Sequence, residues 1–353
     1  MITNSPPRRI LICAAQVPFA RGGAEYLVEG LRDALLAHGH QVDVVSLPFS
    51  WHPAQRILES ALAWRLVNVA DVCEVPVDQV ICTKFPSYLA RHPRKVVWLV
   101  HQLRQAYDWY GTPLSDLGNM PQDRAVREAI FQMDRRGLGE ARRCYTISRN
   151  VSQRLRRFNG LESTPLYPPS RHAAALRAGP YGDYILSPSR LDRAKRIDLL
   201  LHALSRTGCE VRAIVAGSGE DRARLEQLAA DLRLGERVRF LGFVDDATLV
   251  DLYAGARAVY YAPVDEDYGF ATVEAFGAAR PVVTTEDAGG VLEFVEDGVS
   301  GYVTPPDPAA LAARLERLMA DAALAARLGL AGQPCVREIT WERVVRALVE
   351  AGS

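Results

Sequence analysis

Residues 258–285 read AVYYAPVDEDYGFATVEAFGAARPVVTT. A short apolar run, 258–262, gives way to a turn rich in Asp, Glu and Gly, then to a segment of helical period, 270–278, and then to a second apolar run, 281–285. Strand, helix, strand in that order is the unit from which parallel sheets with helices on both faces are built. Working outward, the same alternation continues. Strands are expected at 184–187, 211–216 and 238–241, and helices at 197–205, 220–232 and 246–254. A short helix from Gly290, tail helices at 308–320 and 322–330, and an amphipathic segment at 341–350 complete that half. Upstream, strands at 9–15, 41–47, 79–83, 95–100 and 143–147 alternate with helices at 23–38, 54–69 and 122–141. Between the two series, 164–183 holds Pro165, Pro168, Pro169, Pro180, Gly179 and Gly182, so it is expected to form no regular element and to act as the linker.

The 353 residues exceed one domain of ordinary size, so two are expected. The division expected is an N-terminal Rossmann-like domain over 1–165, a linker over 166–183, a second Rossmann-like domain over 184–335 and a final helix, 336–353, packing back on the first domain. With 48% hydrophobic and 24% charged residues the chain is an ordinary globular one. The 42 Lys and Arg balance the 42 Asp and Glu, which gives no case for nucleic acid as a partner. The balance hides an asymmetry, because residues 1–180 carry 23 basic against 15 acidic side chains and the rest carry the reverse excess. Cys13, Cys73, Cys82, Cys144, Cys209 and Cys335 form no C-x-x-C pair and read as reduced core residues. The apolar run 10–15 is too short for a signal or membrane span, so a cytoplasmic protein is expected. Residues 122–158 hold ten arginines against four acids, interleaved with apolar residues, and read either as a solvated helix face or as a peripheral contact with anionic headgroups at the inner face of the cell membrane.

Ligands of open α/β sheets bind at the carboxyl ends of the strands, so the loops there carry the candidates. In 262–277 Glu266 and Glu274 lie eight positions apart, on either side of a Tyr-Gly-Phe turn that opens a helix. Amides at such a helix start, here Gly269, Phe270 and Ala271, suit phosphate oxygens. This segment resembles the E-x7-E region of family 4 glycosyltransferases, retaining nucleotide-sugar enzymes of the two-domain glycosyltransferase-B fold. The resemblance runs from about Tyr184 to Trp341, through the S-R-L-D-R-A-K stretch of 189–195, A-G-S-G-E-D of 216–221 and V-R-F-L-G-F of 238–243. The first half shares only a Gly-Gly loop (Gly22, Gly23), the layout and His101 after its strand.

The resemblance implies an α/β architecture of two Rossmann-like domains with parallel sheets facing across a cleft. It assigns Arg190 and Lys195 to the diphosphate, Glu266 to the sugar end near the anomeric carbon, Glu274 to the ribose hydroxyls and His101 to the donor sugar. Gly217 and Gly219 then let the chain approach the nucleoside, and Phe243 and Val244 wall the base. Lys84, Arg104 and Tyr107 are the candidates to flank the acceptor. Arg196 stands where the family usually has glycine. Asp245 or Asp246 could read a guanine, and the base stays open between uracil and guanine. Asp265-Glu266-Asp267 spells D-x-D, but two cations already supply the charge compensation a divalent metal would give, so no metal and no cofactor are expected. The expected activity is retaining transfer of a hexose-type residue from a UDP- or GDP-sugar to a hydroxyl of a glycan, a lipid-linked acceptor or a small-molecule glycoside, in polysaccharide or glycoconjugate biosynthesis. An epimerase or phosphorylase of the same fold, or a non-catalytic nucleotide-sugar-binding scaffold, are the alternatives.

Overall fold

A computed structural model of the chain describes residues 6–19, 22–208 and 210–352. It divides into two compact units, one made of Met1–Pro169 with Ile339–Ser353 and the other of Ser170–Glu338. In chain order the first unit holds β1 (Arg9–Gln16), α1 (Gly23–Ala37), β2 (Gln41–Pro48), α2 (Gln55–Leu66), a two-residue hairpin of β3 (Asp71–Val72) and β4 (Val75–Pro76), β5 (Gln79–Cys82), β6 (Lys95–Leu99), α3 (Asp123–Gly139), β7 (Arg143–Thr146), α4 (Arg149–Asn159) and β8 (Thr164–Pro165). The second holds β9 (Tyr184–Pro188), α5 (Ile197–Leu204), β10 (Arg212–Ala216), α6 (Arg222–Asp231), β11 (Val238–Gly242), α7 (Asp246–Gly255), β12 (Ala258–Tyr260), α8 (Phe270–Gly277), β13 (Val282–Thr285), β14 (Gly301–Thr304), α9 (Pro308–Ala320), α10 (Ala322–Gly332) and α11 (Pro334–Arg337). The chain then returns to the first unit as α12 (Trp341–Ala351).

Each unit has one six-stranded, wholly parallel sheet. The first runs β2-β1-β5-β6-β7-β8 and the second β11-β10-β9-β12-β13-β14. Strand order therefore reverses between β1 and β5 in one and between β9 and β12 in the other. The loops leaving these strand pairs diverge and open a crevice, the switch point at which such sheets take ligands. Central strands are apolar on both faces, as burial by helices on both sides requires: every residue of β5 and β6 is buried. Lys95 is buried too, and its ammonium is met by the Tyr88 carbonyl at 2.9 Å, the Ala90 carbonyl at 3.1 Å and Glu140 at 3.2 Å. Helix starts are fixed locally. Ser148, Asp245, Asp307, Asp321 and Thr340 each accept the N–H three residues on, which satisfies a donor with no partner inside the helix.

Four expectations need correction. The stretch 164–183 does contain a regular element, because Thr164 and Pro165 pair with Tyr145 and Thr146 as β8. A proline is tolerated there since β8 is an edge strand. Nor is 166–183 a free linker. The Leu166 amide donates to Thr146 at 2.7 Å, and from Ser170 the chain lies on the second unit, with Gly182 donating to Gly255 at 3.1 Å and the Tyr181 hydroxyl to Ala279 at 2.7 Å. Strand β14, which begins at Gly301, was not anticipated. Lastly, Cys13 and Cys82 are buried but Cys73 and Cys335 are exposed, so the cysteines do not all belong to the core. Cys209 falls outside the described residues. Among the described residues no helix is long and apolar enough to cross a membrane.

Helix α12 is stitched to the first sheet. Arg8 donates to the Val349 carbonyl at 2.8 Å, Gln79 to Leu348 at 2.8 Å, and the Trp341 ring meets Trp98 edge-on at 6.2 Å. A Cβ on Gly30 of α1 would lie 2.3 Å from the Trp341 ring, so the indole occupies the space that glycine leaves. Trp341→Ala is expected to lower the stability of the first unit by roughly 2–3 kcal/mol, somewhat less than a fully buried Trp→Ala change because the ring is only half-buried. Urea unfolding followed by the near-ultraviolet signal measures it.

Candidate functional site

The second unit's switch point is built from the loop after β9 and the loop after β12. Asp192 shapes the first of these. Its carboxylate accepts the Lys195 amide at 3.2 Å, capping the single turn 193–195, and the Arg190 Nε at 2.9 Å. The turn aims the Lys195 side chain across the switch point, where its Nζ donates to Glu266 Oε2 and, at 3.2 Å, to the Tyr261 hydroxyl. Tyr261 in turn donates to the same carboxylate oxygen at 2.9 Å. Both charged side chains are mostly buried, 15% exposed for Lys195 and 20% for Glu266. Burial alone would lower the Lys195 pKa, but the adjoining Glu266 carboxylate outweighs it and holds the amine above its usual range, firmly protonated. The backbone of Glu266 is fixed as well, donating to Ala288 at 3.1 Å and accepting from Gly290 at 2.7 Å.

Eight residues along, Glu274 is buried within α8. Oε1 accepts from Ser170 at 2.7 Å and His172 Nδ1 at 2.9 Å, and Oε2 from Tyr253 at 2.8 Å. A carboxylate oxygen takes two donors, so Oε2 keeps one acceptor position. Gly269, with φ +86°, precedes α8, and Phe270 and Ala271 form its first turn. Next to them the buried Thr272 hydroxyl has no hydrogen-bond partner.

The glycines and cations around this centre divide. Arg190 is 73% exposed and pairs with Asp192 at 2.9 Å. A Cβ on Gly217 would lie 1.9 Å from the Ser189 carbonyl and one on Gly219 2.1 Å from that of Leu191. Their smallness thus allows the close passage of two loops. Phe243 is 74% exposed at the end of β11 and Val244 is half-buried beside it. Asp245 is the cap of α7 and Asp246 pairs with Arg171. Asp265 and Asp267 flank Glu266 in sequence, but no group of three His, Cys, Asp or Glu side chains among the described residues is arranged to hold a metal.

In the first unit the switch point has its own lysine and glutamate. Lys84, after β5, lies 3.0 Å from Glu25 of α1, whose other oxygen accepts the Gly22 amide at 2.9 Å, with Gly23 exposed beside it. His101 is half-buried after β6, its Nδ1 2.7 Å from the Gln102 carbonyl. Tyr107 and Arg104, the other candidates to flank the acceptor, are both buried. Tyr107 is 3% exposed, stacked on Phe131 at 4.6 Å, and donates to Asp134 at 2.6 Å while accepting from Asn159 at 3.0 Å. Arg104, 7% exposed, pairs with Asp108 and lies over the Trp109 ring at 4.1 Å. Buried Asp134 also accepts from Tyr88 at 2.7 Å; burial pushes its carboxyl up to about 7 despite the two tyrosine donors.

Residues 174–333, nearly all of the second unit, match the family described as glycosyl transferases group 1. An uncharacterized glycosyltransferase, MJ1607 of Methanocaldococcus jannaschii, is 24% identical over 91% of this chain and 88% of its own length. The human alpha-1,3/1,6-mannosyltransferase ALG2 is 30% identical over 44% of this chain and 41% of its own. A D-inositol 3-phosphate glycosyltransferase of Streptomyces bingchenggensis is 32% identical over 51% and 43%. This chain therefore spans less than half of those last two proteins. Among solved structures, Anabaena Alr3699/HepE in complex with UDP and glucose superposes with a TM-score of 0.72 at 19% identity, covering 97% of this chain and 98% of that one. Sucrose-phosphate synthase (tll1590) of Thermosynechococcus elongatus gives 0.75 at 22% identity, with 97% of each covered.

Two titrations follow from the buried carboxylates. Asp134 is raised in the folded state, so the unfolded chain gives up its proton first and stability falls as pH climbs from about 4 to about 7. The loss from this group alone is roughly 4 kcal/mol, and Asp134→Asn should remove it, visible as a flatter melting temperature between pH 5 and 8. His172 has the same sign for a different reason. Burial lowers its pKa, but the Glu274 hydrogen bond and charge raise it further, so the pair stabilises fully below pH 6.5 and the contribution fades as pH passes the higher folded value. In His172→Gln the loss of second-unit stability on going from pH 6 to pH 8 should shrink.

Proposed function

We propose that this chain, whose second unit is a group 1 glycosyl transferase domain and whose two sheets have the glycosyltransferase-B fold, transfers a hexose-type sugar. The donor is a UDP- or GDP-sugar and the acceptor a hydroxyl of a glycan, a lipid-linked saccharide or a small glycoside, with retention of configuration and without a metal. The observation that carries this reading is the Lys195–Glu266–Tyr261 contact spanning the switch point of a sheet ordered as dinucleotide-binding sheets are, beside the start of α8. Relatives named as a mannosyltransferase and a D-inositol 3-phosphate glycosyltransferase, and a neighbour holding UDP and glucose, support the donor class.

The chemistry asked of the protein is charge stabilisation and positioning. As the C1–O bond to phosphate breaks, negative charge grows on the leaving diphosphate. Lys195, with Arg190 drawn in from solvent, neutralises it, and the amides of Gly269, Phe270 and Ala271 donate to phosphate oxygens. Once Lys195 turns to the phosphate, Glu266 stands beside the ring, where a carboxylate steadies positive charge at the anomeric carbon. The departing phosphate oxygen takes the proton of the acceptor hydroxyl as its oxygen bonds C1 from the same face, which retains configuration. Glu274 Oε2 keeps a place for a ribose hydroxyl, and exposed Phe243 with Val244 walls the base. The arginine-rich surface of 122–158, on the cytoplasmic side, brings the enzyme to a membrane-borne acceptor.

Transfer or hydrolysis assays with UDP- and GDP-sugars test the proposal. Glu266→Ala, Lys195→Ala and Arg190→Ala should each lower turnover by ~100-fold or more. Chelator should leave the rate unchanged; near-normal turnover in all three variants, or a rate abolished by chelator and restored by Mn²⁺, contradicts these roles.

A further inference from the structure

Arg196 follows Lys195 with φ +50° and ψ +46°, a left-handed conformation that costs an ordinary L-residue free energy and suits glycine. Something must hold an arginine there. Its side chain, 15% exposed, makes five hydrogen bonds to two different loops. Nε donates to the Ala262 carbonyl at 2.8 Å and Nη2 to that of Pro263 at 3.0 Å. Nη2 also donates to Thr285 Oγ1 at 2.7 Å, and the fork closes on Asp287, Nη2 to Oδ1 at 2.7 Å and Nη1 to Oδ2 at 2.9 Å. Its own carbonyl accepts from the Tyr260 hydroxyl at 2.7 Å, and the Val264 amide donates to Ala194 at 2.8 Å. Those two loops bracket Glu266. The Asp265 amide donates to the Asp287 carbonyl at 2.9 Å and the Glu266 amide to Ala288 at 3.1 Å. Lys195 thus reaches the Glu266 carboxylate from one side while the next residue ties down the backbone that carries it from the other.

We infer that Arg196 is a positioning residue, a planar clamp joining 262–263 to 285–287 so that Glu266 keeps its place when Lys195 leaves it for the diphosphate. The inference rests on the proposed transferase chemistry. A lysine cannot replace it, because a single ammonium does not span two carbonyls, a hydroxyl and both oxygens of one carboxylate. The Asp287 carboxyl reports the same contact: partial burial would raise it, yet the guanidinium holds it below the usual range.

The test uses full-length Arg196→Gly, which suits the backbone and removes the clamp, and Arg196→Lys, which keeps the charge and loses the fork. Wild type is first assayed against UDP-, GDP- and ADP-sugars; no turnover there would sink the transferase reading itself. With an active wild type, both variants are expected to stay folded by circular dichroism and to bind the matching free nucleoside diphosphate within ~3-fold of wild type, while turnover falls at least ~10-fold. Guanidinium chloride at tens of millimolar should restore part of the glycine variant's rate and none of the Glu266→Ala variant's. A smaller loss of turnover overturns the inference. So does unfolding of both variants, since Arg196 would then hold the unit together without aiming one side chain.

Discussion

The contact between the Lys195 ammonium and the Glu266 carboxylate is the constraint around which the second unit is arranged. An ion pair this withdrawn from water is stable only when its surroundings supply further hydrogen bonds, and removing one partner would strand the other at a cost of about 3–5 kcal/mol. Tyr261 supplies one such bond and the Asp192-capped turn fixes the approach of the lysine. The glycines at 217 and 219 allow the loop after β10 to close against the loop that carries it. The proposed chemistry asks that a pair held this way be exchanged when a diphosphate offers the lysine a stronger partner.

The first unit repeats the device at its own switch point, with Lys84 and Glu25 at 3.0 Å, but in a different strand order. Its interior differs in kind. Tyr88, Tyr107 and Asn159 converge with Asp134 in a buried polar network that joins α3, α4 and the loops after β5 and β6. Such a network fixes the loop bearing His101 through packing and hydrogen bonds, with Glu140 and Lys95 performing a similar service at the other end of β6.

Much of the architecture was legible from alternation alone, because buried parallel strands are continuous apolar runs and the helices between them carry a 3.6-residue period. The strands that escaped are the two-residue hairpin strands β3 and β4 and two edge strands that hold residues that normally signal loops, Pro165 in β8 and Gly301 in β14. The same physics governed the site. Glu266 was singled out by its turn and Lys195 by the family resemblance, whereas Tyr261 lies in an apolar run and looks like core, which by burial it is. For Arg104 and Tyr107, which follow a strand, nothing local in the sequence signals their pairing with Asp108 and Asp134. His172 and Ser170, the partners of Glu274, come from the supposed linker and gave no local signal. Arg196 was visible only as a departure from a glycine, and its left-handed backbone explains both the glycine preference and the need for its five hydrogen bonds.

A crystal structure of the chain with UDP or GDP, whichever raises its melting temperature more, tests the central claim most directly. The account predicts the diphosphate at the carboxyl ends of β9 and β12, with Lys195 Nζ moved from Glu266 onto a phosphate oxygen and the amides of Gly269–Ala271 donating to it. A nucleotide bound at another place, or bound there with Lys195 still paired to Glu266, would contradict it.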